Sequence, residues 1–259
     1  SSALIIEEGF LLSDLERVIR SMKDTCIEAG VHIITGDTKV VEKGALEKLI
    51  VNTSGIGRRS KCLERNIAEV RKYRPFNSRW LVDSNVRDGD VIIVSGTVGD
   101  HGVSLLSYRE GYGFESEVRS DTAPLNKLVR KLLEVGGVVK MKDPTRGGLS
   151  NALNEWSEKS RVGILVWEEK IPIKEGVRSA CEMLGIDPLE VGNEGKLVIA
   201  AVPEKAEDIL SELRRHPQGK DAEIIGEARK EFSNVVLETV VGGKRILPPP
   251  VGDPIPRIC

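Results

Sequence analysis

The sequence predicts an α/β fold, an α+β sandwich in which short buried strands alternate with amphipathic helices. Apolar runs of strand length, such as Val91–Gly96 and Leu197–Val202, recur along the chain. Apolar residues at helical spacing fill many of the intervals, and clusters rich in glycine and polar residues separate the segments. At 259 residues the chain is long enough for one large domain or two smaller ones, each with its own core.

The first part of the chain is predicted to hold one long helix and two short strands. Ser13-Asp14 is typical of a helix N-cap, and the apolar residues that follow at helical spacing end at Gly30. Apolar runs predict strands at 31–34 and 49–51, the first of which is closed by a turn at 35–39.

A basic stretch follows, since residues 58–80 carry eight Lys or Arg and two Glu. A solvated helix face and a contact for an acidic partner both account for this charge. The turn cluster at 85–90 predicts a domain boundary. We therefore divide the chain into domains at 1–88 and 89–241, with a tail at 242–259.

Residues 89–241 are predicted to form the second α/β domain, with strands and helices in alternation. The predicted strands cover 91–96, 138–141, 164–166, 197–202, 223–228 and 234–238. The predicted helices cover 122–135, 175–185 and 204–215. A further helix is predicted to begin after the loop at 143–148 and to run to about Ser160.

Composition excludes several functional classes. The net charge is −2 with 30% charged residues, so neither nucleic acid nor a membrane surface is an expected partner. No apolar run approaches the roughly 18 residues of a membrane span. The four cysteines lie far apart without a C-x-x-C pair, which predicts a reducing cytoplasm rather than a disulfide framework or zinc site.

The chain ends in Cys259, at the end of a proline-rich segment. Gly242 and Gly243 predict a hinge, and five later prolines favour extended polyproline geometry. At about 3.1 Å per residue, such a flexible arm would carry the thiol up to about 50 Å from the hinge. An incidental cysteine at a disordered end is the alternative interpretation.

Four glycine-containing loops accompany the predicted strands: Gly36–Lys39, Gly99–Gly102, Asp143–Gly148 and Gly192–Lys196. Glycine permits close backbone approach to phosphate, and helix N-termini supply N–H donors. The Asp37 carboxylate can hold Mg²⁺, and the Lys39 and Arg146 cations can neutralise a polyphosphate. One such loop is also an ordinary turn, but four in an α/β chain indicate an enzyme that handles phosphate.

Together with the terminal cysteine, these loops resemble the HypE family of hydrogenase maturation factors, carbamoyl dehydratases of the PurM-like ATP-dependent superfamily. The matching segments are 3–10, 35–41, 52–57, 94–102, 143–149, 193–195 and 256–259. The likeness covers nearly the whole chain, and Pro-Arg-Ile-Cys at its end is the most family-specific part.

The resemblance implies a PurM-like two-domain architecture with an extended proline-rich tail. Residues 1–88 would be the remainder of an N-terminal domain for ATP binding and dimerisation, incomplete because family members carry a further segment before it. Residues 58–84 are longer and more basic than the family's usual connection, so we expect an insertion there. A homodimer is also implied.

The implied function is ATP-dependent dehydration of an S-carboxamide on Cys259 to a thiocyanate. That group supplies the cyanide ligand of the iron in nickel-iron hydrogenase. The implied partners are the carbamoyltransferase HypF and the iron-carrying HypC–HypD complex. The alternatives are another PurM-like enzyme that uses ATP, such as a small-molecule kinase or synthetase, and a non-catalytic carrier of the tail cysteine.

The family motifs also assign candidate site residues. Gly36, Asp37 and Thr38 would face the phosphates of ATP, with Asp37 as the ligand of Mg²⁺. Cys259 would carry the substrate, and Lys39 and Glu194 would lie near it. Glu194 is the better candidate base, whereas Lys39 would polarise, neutralise phosphate or relay a proton. A lysine accepts a proton near neutral pH only if burial depresses its pKa.

Three further residues are candidate cofactor contacts with structural alternatives. Asp143 and Arg146 would position substrate or form an ion pair at a helix start. Asp100 would contact the cofactor or shape a turn.

Overall fold

The computed structural model describes residues 1–111, 118–252 and 255. Helices packed with β-sheets confirm the predicted α/β class. The chain separates into two compact units, Ser1–Ser60 and Lys61–Cys259, each with its own sheet.

The first unit is a small sheet with one long helix. Its elements are β1 (Ser2–Glu7), α1 (Leu12–Ala29), β2 (Gly36–Val41) and β3 (Leu49–Thr53). The central strand β1 pairs in parallel with β2 and antiparallel with β3. Parallel neighbours need a crossover connection, and α1 provides it between β1 and β2.

The predicted end of α1 is confirmed, but its predicted start is wrong. The helix begins at Leu12, after an N-cap residue, Leu11, that offers no side-chain hydrogen bond. At the other end Gly30 adopts φ 68°, the left-handed conformation that closes a helix with least strain in glycine. The Ser13-Asp14 pair therefore lies inside the first turn, where Asp14 accepts a hydrogen bond from Arg17 at 3.2 Å.

The strand predicted at 31–34 lies instead at Gly36–Val41, so the predicted loop Gly36–Lys39 is part of β2. The parallel ladder sets this register, because Ser2 pairs with Gly36. A side chain at Gly36 would collide with the backbone carbonyl of Ser2. Glycine here permits strand pairing as well as approach to a ligand.

The second unit is a seven-stranded sheet of order β10-β9-β6-β8-β4-β7-β5. Its strands are β4 (Val91–Val94), β5 (Val138–Lys142), β6 (Gly163–Trp167), β7 (Val198–Ala201), β8 (Glu223–Arg229), β9 (Val235–Glu238) and β10 (Lys244–Ile246). Neighbouring strands are antiparallel, except for the parallel pair β6 and β9.

Helices cover this sheet, and most were predicted. They are α2 (Lys61–Tyr73), α3 (Asp100–Glu110), α4 (Asn126–Val135), α5 (Gly148–Ser160), α6 (Glu175–Leu184) and α7 (Ala206–Arg214). Helix α3 was missed, because its loop-like Gly-Asp-His-Gly start hides the helical spacing.

Both faces of the seven-stranded sheet are buried. In β4, Ile92 enters a core cluster that contains Trp156, whereas its neighbour Ile93 enters a second cluster that contains Leu128 and Ile209. This alternation follows from the two-residue period of a strand. It explains why the central strands read as continuous apolar runs in the sequence.

Helix α2 belongs to the core of the second unit, although the sequence placed it before the domain boundary at 88. Its apolar face is buried through Leu63, Ile67 and Val70. The buried Asn66 donates to the Val138 carbonyl at 2.7 Å and accepts from its N–H at 2.8 Å. The charged face of the same helix is exposed, as the solvated-face interpretation requires.

The tail predicted as a flexible arm from Gly242 is instead held to the sheet over its first part. Thr239 donates its N–H to the Gly243 carbonyl at 2.7 Å, which forms a hairpin turn. Strand β10 then pairs with β9, and Leu247 is buried. The prolines begin only after this strand, so they do not oppose its pairing. Cys259 lies outside the described residues.

A buried ion pair fixes the end of α2 beside the start of β4. Arg74 donates to both carboxylate oxygens of Asp90, at 2.5 and 3.0 Å, and to the Asn85 carbonyl at 2.9 Å. The N–H of Arg87 adds a fourth hydrogen bond, to Asp90 at 2.7 Å. Burial raises the pKa of Asp90 to about 6 even though Arg74 opposes the shift.

We expect Arg74→Leu to lower the free energy of unfolding by about 3 kcal/mol near pH 8, because it leaves a buried carboxylate without its cation. Loss of Arg74 also raises the pKa of Asp90 further, so the folded variant takes up a proton as the pH falls. The deficit should therefore shrink towards about pH 5.

Urea denaturation at both pH values measures this, with Arg65→Leu on the exposed face of α2 as the control. A deficit that is constant or larger at the lower pH would contradict the assignment.

Candidate active site

Three of the four predicted glycine loops meet in the second unit. They are Gly99–Gly102, Asp143–Gly148 and Gly192–Lys196. The N–H of Gly102 donates to the Gly192 carbonyl at 3.1 Å, and the N–H of Asn193 donates to the Pro144 carbonyl at 3.0 Å. Backbone hydrogen bonds therefore hold the three loops against one another.

The buried side chain of Asn193 joins the same three loops. Its Oδ1 accepts the N–H of Gly99 at 2.8 Å. Its Nδ2 donates to the carbonyls of Val191 at 3.2 Å and Pro144 at 3.5 Å. Sequence reasoning missed this role, although the Asn-Glu-Gly motif was part of the resemblance.

Glu194, the candidate base, follows Asn193 directly. Its side chain is half-buried, and its Oε1 is enclosed without a hydrogen-bond partner among the described residues. Burial raises the pKa of Glu194; His101 lowers it in part, and the charges of Asp143 and Asp121 raise it. A carboxylate with a raised pKa is a stronger proton acceptor, as general-base catalysis requires.

Asp121 is a neighbour of Glu194 that sequence reasoning also missed. It accepts the N–H of Glu194 at 3.1 Å and forms an ion pair with Lys196 at 3.2 Å. A side chain at Gly195 would collide with the Asp121 carbonyl. Glycine at 195 therefore lets the segment around 121 pack over the loop that carries the candidate base.

Asp100 is held in the structure as a buried residue at the start of α3. It accepts a short hydrogen bond from the Thr97 hydroxyl and forms an ion pair with Lys174 at 3.0 Å. Its Oδ1 is buried without a hydrogen-bond partner among the described residues. These contacts support the structural alternative, and cofactor binding by Asp100 stays a prediction.

Asp143 and Arg146 line one small cavity of about 340 Å³ at the start of α5. Asp143 accepts the Thr145 hydroxyl at 2.6 Å. Lys142 also lines the cavity and pairs with Glu155 at 2.5 Å. The lining therefore combines two cations with hydroxyl and carboxylate groups.

The fourth predicted loop lies on β2 in the first unit. Asp37 and Thr38 line a cavity of about 1000 Å³ together with Lys23 and His32. Asp37 accepts the N–H of its neighbour Thr38 at 2.8 Å. Lys39 is exposed within this unit, so the burial that a lysine base needs is not provided there.

The fit to Mg²⁺ rests on the donors in this cavity. Among the described residues, no three His, Cys, Asp or Glu side chains are grouped so that they could hold a metal ion. Mg²⁺ usually binds through one or two carboxylates together with substrate phosphates and water. The single carboxylate of Asp37 and the hydroxyl of Thr38 suit that shared mode of binding.

No helix in the part of the chain that the structure describes is long and apolar enough to cross a membrane.

Family models match both units. Residues 1–59 match the N-terminal domain of AIR synthase related proteins, and residues 87–237 match the C-terminal domain of the same proteins. The three loops joined by Asn193 lie within the second match.

Several curated relatives match the whole chain, and two of them show the range of names. A putative hydrogenase expression/formation protein of Methanocaldococcus jannaschii is 50% identical over 260 residues, which cover 100% of this chain and 72% of that protein. Carbamoyl dehydratase HypE of Bradyrhizobium diazoefficiens is 44% identical over 262 residues, with 100% and 71% covered.

Solved structures show the same relation. HypE in complex with ATP superposes with a TM-score of 0.88 at 42% identity, over 100% of this chain and 74% of that one. The HypE–HypF complex gives a TM-score of 0.85 at 43% identity, over 96% and 76%.

A thiamine monophosphate kinase of Aquifex aeolicus, with a TM-score of 0.60 at 20% identity, shares the fold alone. The 44–50% identity to the curated relatives extends over the whole of this chain. Together with the two matched domains, it shows that the chain belongs to the carbamoyl dehydratase HypE family within the AIR synthase related proteins.

Proposed function

We propose that this protein uses ATP to dehydrate an S-carboxamide on its own Cys259 to a thiocyanate during maturation of nickel-iron hydrogenase. The observation that carries the proposal is Glu194, a half-buried carboxylate with an unbonded oxygen and a raised pKa. Glu194 lies in a chain of the HypE family that carries Cys259 in its proline-rich tail. The product supplies the cyanide ligand of the hydrogenase iron.

The dehydration needs activation because an amide oxygen is a poor leaving group. The carboxamide oxygen attacks the terminal phosphorus of ATP and displaces ADP, while one proton leaves the amide nitrogen. The carbon–oxygen bond then breaks and phosphate departs with the oxygen. The second N–H proton is lost as the carbon–nitrogen triple bond forms, so the products are the thiocyanate, ADP and phosphate.

Glu194 is the group that we assign to accept a proton from the amide nitrogen. The raised pKa of Glu194 brings the pKa of the base closer to the pH of the solution, which favours transfer of the proton to it. Lys39 is exposed in its unit, so we assign it to neutralise charge rather than to act as a base. Arg146 offers a second cation, for the phosphate.

Nucleotide binding is assigned to β2. Gly36 lets the backbone approach the phosphates, Thr38 offers a hydroxyl, and Asp37 would hold Mg²⁺. When bound, the metal ion offsets negative charge on the phosphates. The solved HypE–ATP complex supports ATP as the nucleotide.

Partners and compartment follow from the substrate. The solved HypE–HypF complex supports HypF as the carbamoyltransferase that loads Cys259. We assign the HypC–HypD iron complex as the acceptor of the cyano group. A reactive thiol at 259 requires a reducing compartment, which supports the cytoplasm.

Exposed apolar residues of the first unit support a homodimer. Val40 on β2 and Ile50 and Val51 on β3 are exposed, and both strands are edges of the three-stranded sheet. Edge strands with exposed apolar side chains readily pair with another chain. We assign a second copy of this protein to that surface.

Ile50→Asp is expected to convert the dimer to a monomer, because it places a charge in an apolar interface. Sedimentation equilibrium measures the mass. Val241→Asp, an exposed residue of the second unit, is the matched control and should remain dimeric. A monomeric native protein, or an Ile50→Asp variant that stays dimeric, would sink this assignment.

The dehydration itself is tested by mass spectrometry of the C-terminal peptide. The protein is first carbamoylated by the carbamoyltransferase and then given Mg²⁺ and ATP. We expect the peptide to lose one water from the carboxamide on Cys259, and to lose none when ATP or Mg²⁺ is omitted. Cys259→Ala should abolish turnover and leave the melting temperature unchanged.

A carboxamide that persists on Cys259 in protein shown to bind ATP would overturn the proposal. That result would favour the non-catalytic carrier. Modification at another residue would overturn it equally.

Glu194→Gln tests the base. The single-turnover rate is expected to fall by at least about 100-fold, because the side-chain amide of the introduced glutamine is too weak a base to accept a proton from the substrate. In the native protein the rate should fall as the pH drops through the raised pKa of Glu194, because the protonated carboxyl cannot accept a proton. The residual rate of Glu194→Gln should lack that acidic limb.

Glu190→Gln is the matched control, since Glu190 is also partly buried and lies four residues away. Its rate and its pH profile should match those of the native protein. Retention of full rate by Glu194→Gln would assign proton removal to another group.

A further inference from the structure

The C-terminal tail is first anchored to α5. Ser150 donates its hydroxyl to the Pro248 carbonyl at 2.7 Å, and Asn154 donates its amide to the Leu247 carbonyl at 3.0 Å. Leu247 itself lies in the main core cluster at 1% exposure. Because α5 begins where the Asp143–Gly148 loop ends, this anchor places the tail beside the candidate active site.

The tail then passes the start of α5. Gly147 adopts φ 70°, and a side chain there would lie 3.0 Å from Cγ of Pro250. Val251, the next residue, is fully exposed. The tail is therefore exposed to solvent at Val251 and Gly252.

A second anchor follows at Ile255, which is only 1% exposed. It packs in a cluster that we call the tail socket, formed by Val103, Val177, Ala180, Cys181 and Val191. The burial of Ile255 in a proline-rich tail comes from its packing against this apolar cluster.

Two residues of the tail socket border loops of the candidate active site. Val103 follows the Gly99–Gly102 loop, and Val191 is three residues before Glu194. Burial raises the pKa of the Cys181 thiol in the socket to about 11, so that thiol stays neutral and does not compete with Cys259 as a nucleophile.

Chain length shows what the second anchor achieves. Cys259 lies eleven residues after Pro248, and an extended chain of eleven residue steps reaches about 38 Å. Cys259 lies only four residues after Ile255, a reach of about 14 Å. Docking at Ile255 thus confines the thiol to a volume about twentyfold smaller, which raises its effective concentration at any site within that reach.

We propose that Ile255 is a positioning residue and that the tail socket is its docking site, which together hold the Cys259 carboxamide for dehydration. The proposal rests on the proposed function. It adds a residue and a site that act through Cys259 without touching the reacting atoms.

The kinetic test uses the full-length protein, carbamoylated and then given Mg²⁺ and ATP. Ile255→Ala should slow the single-turnover loss of water about tenfold, while Ile255→Leu, which refills the socket, should stay within twofold of the native rate. Affinity for ATP and the melting temperature should not change. Val251→Ala, in the exposed part of the same tail, is the matched control and should keep the native rate.

A second readout does not depend on activity. A nitroxide label on Cys259, in a background with Cys26→Ser and Cys62→Ser, reports tail mobility by electron paramagnetic resonance. Ile255→Ala should increase the mobile fraction at least twofold, whereas Val251→Ala should leave it unchanged.

The proposal is overturned if Ile255→Ala matches the native protein in both readouts, or if Val251→Ala has an equal effect. If the native protein shows no ATP-dependent loss of water but the label responds as expected, the proposed function fails and the docking site stands without its catalytic purpose. Native dehydration with no effect of Ile255→Ala on rate or label would refute the docking site alone.

Discussion

The side-chain amide of Asn193 is the constraint on which the candidate active site depends. It is buried, and it bonds to backbone groups of three loops that are far apart in sequence. An unsatisfied buried donor or acceptor would cost about 1–3 kcal/mol, so the three loops are held to one arrangement. Because Glu194 is the next residue along the chain, the hydrogen bonds of Asn193 also fix the backbone from which the Glu194 carboxylate extends. The neutral side chain of Asn193 thus organises the site, and the neighbouring Glu194 supplies its charged group.

The environment of Glu194 combines burial with opposing charges. Burial disfavours the carboxylate, Asp143 and Asp121 disfavour it further, and His101 partly compensates. Its Oε1 accepts no hydrogen bond from the described residues, so the protein leaves this oxygen unneutralised. Burying a carboxylate whose pKa is raised in this way costs stability, and such perturbed groups are typical of residues that handle protons. Gly195 permits this enclosure, since any side chain there would displace the segment around Asp121.

Sequence patterns predicted the elements whose signal is local. The apolar runs of β4 and β7 and the glycine stop of α1 needed only period and turn chemistry, and the structure has them where they were predicted. The register of β2 depends on its pairing with Ser2, and the roles of Asn66, Asp121 and Asn193 depend on partners far away in the chain. Contacts between residues far apart in the chain produce no periodic pattern in a single sequence. The role of Glu194 as a candidate base was therefore predicted only from the family motif.

The tail shows how a segment can be both extended and positioned. Its prolines predict extended backbone, but they say nothing of the β10 pairing before them or of the burial of Ile255 after them. Under the proposed function, a substrate carried on Cys259 has to reach a loading enzyme and then return to Glu194. Hydrogen bonds from Ser150 and Asn154 anchor the tail to α5 at the carbonyls of Pro248 and Leu247. In that proposed cycle, the contact of Ile255 with the tail socket would open for loading and close for chemistry, because one buried side chain is held far less strongly than a sheet strand.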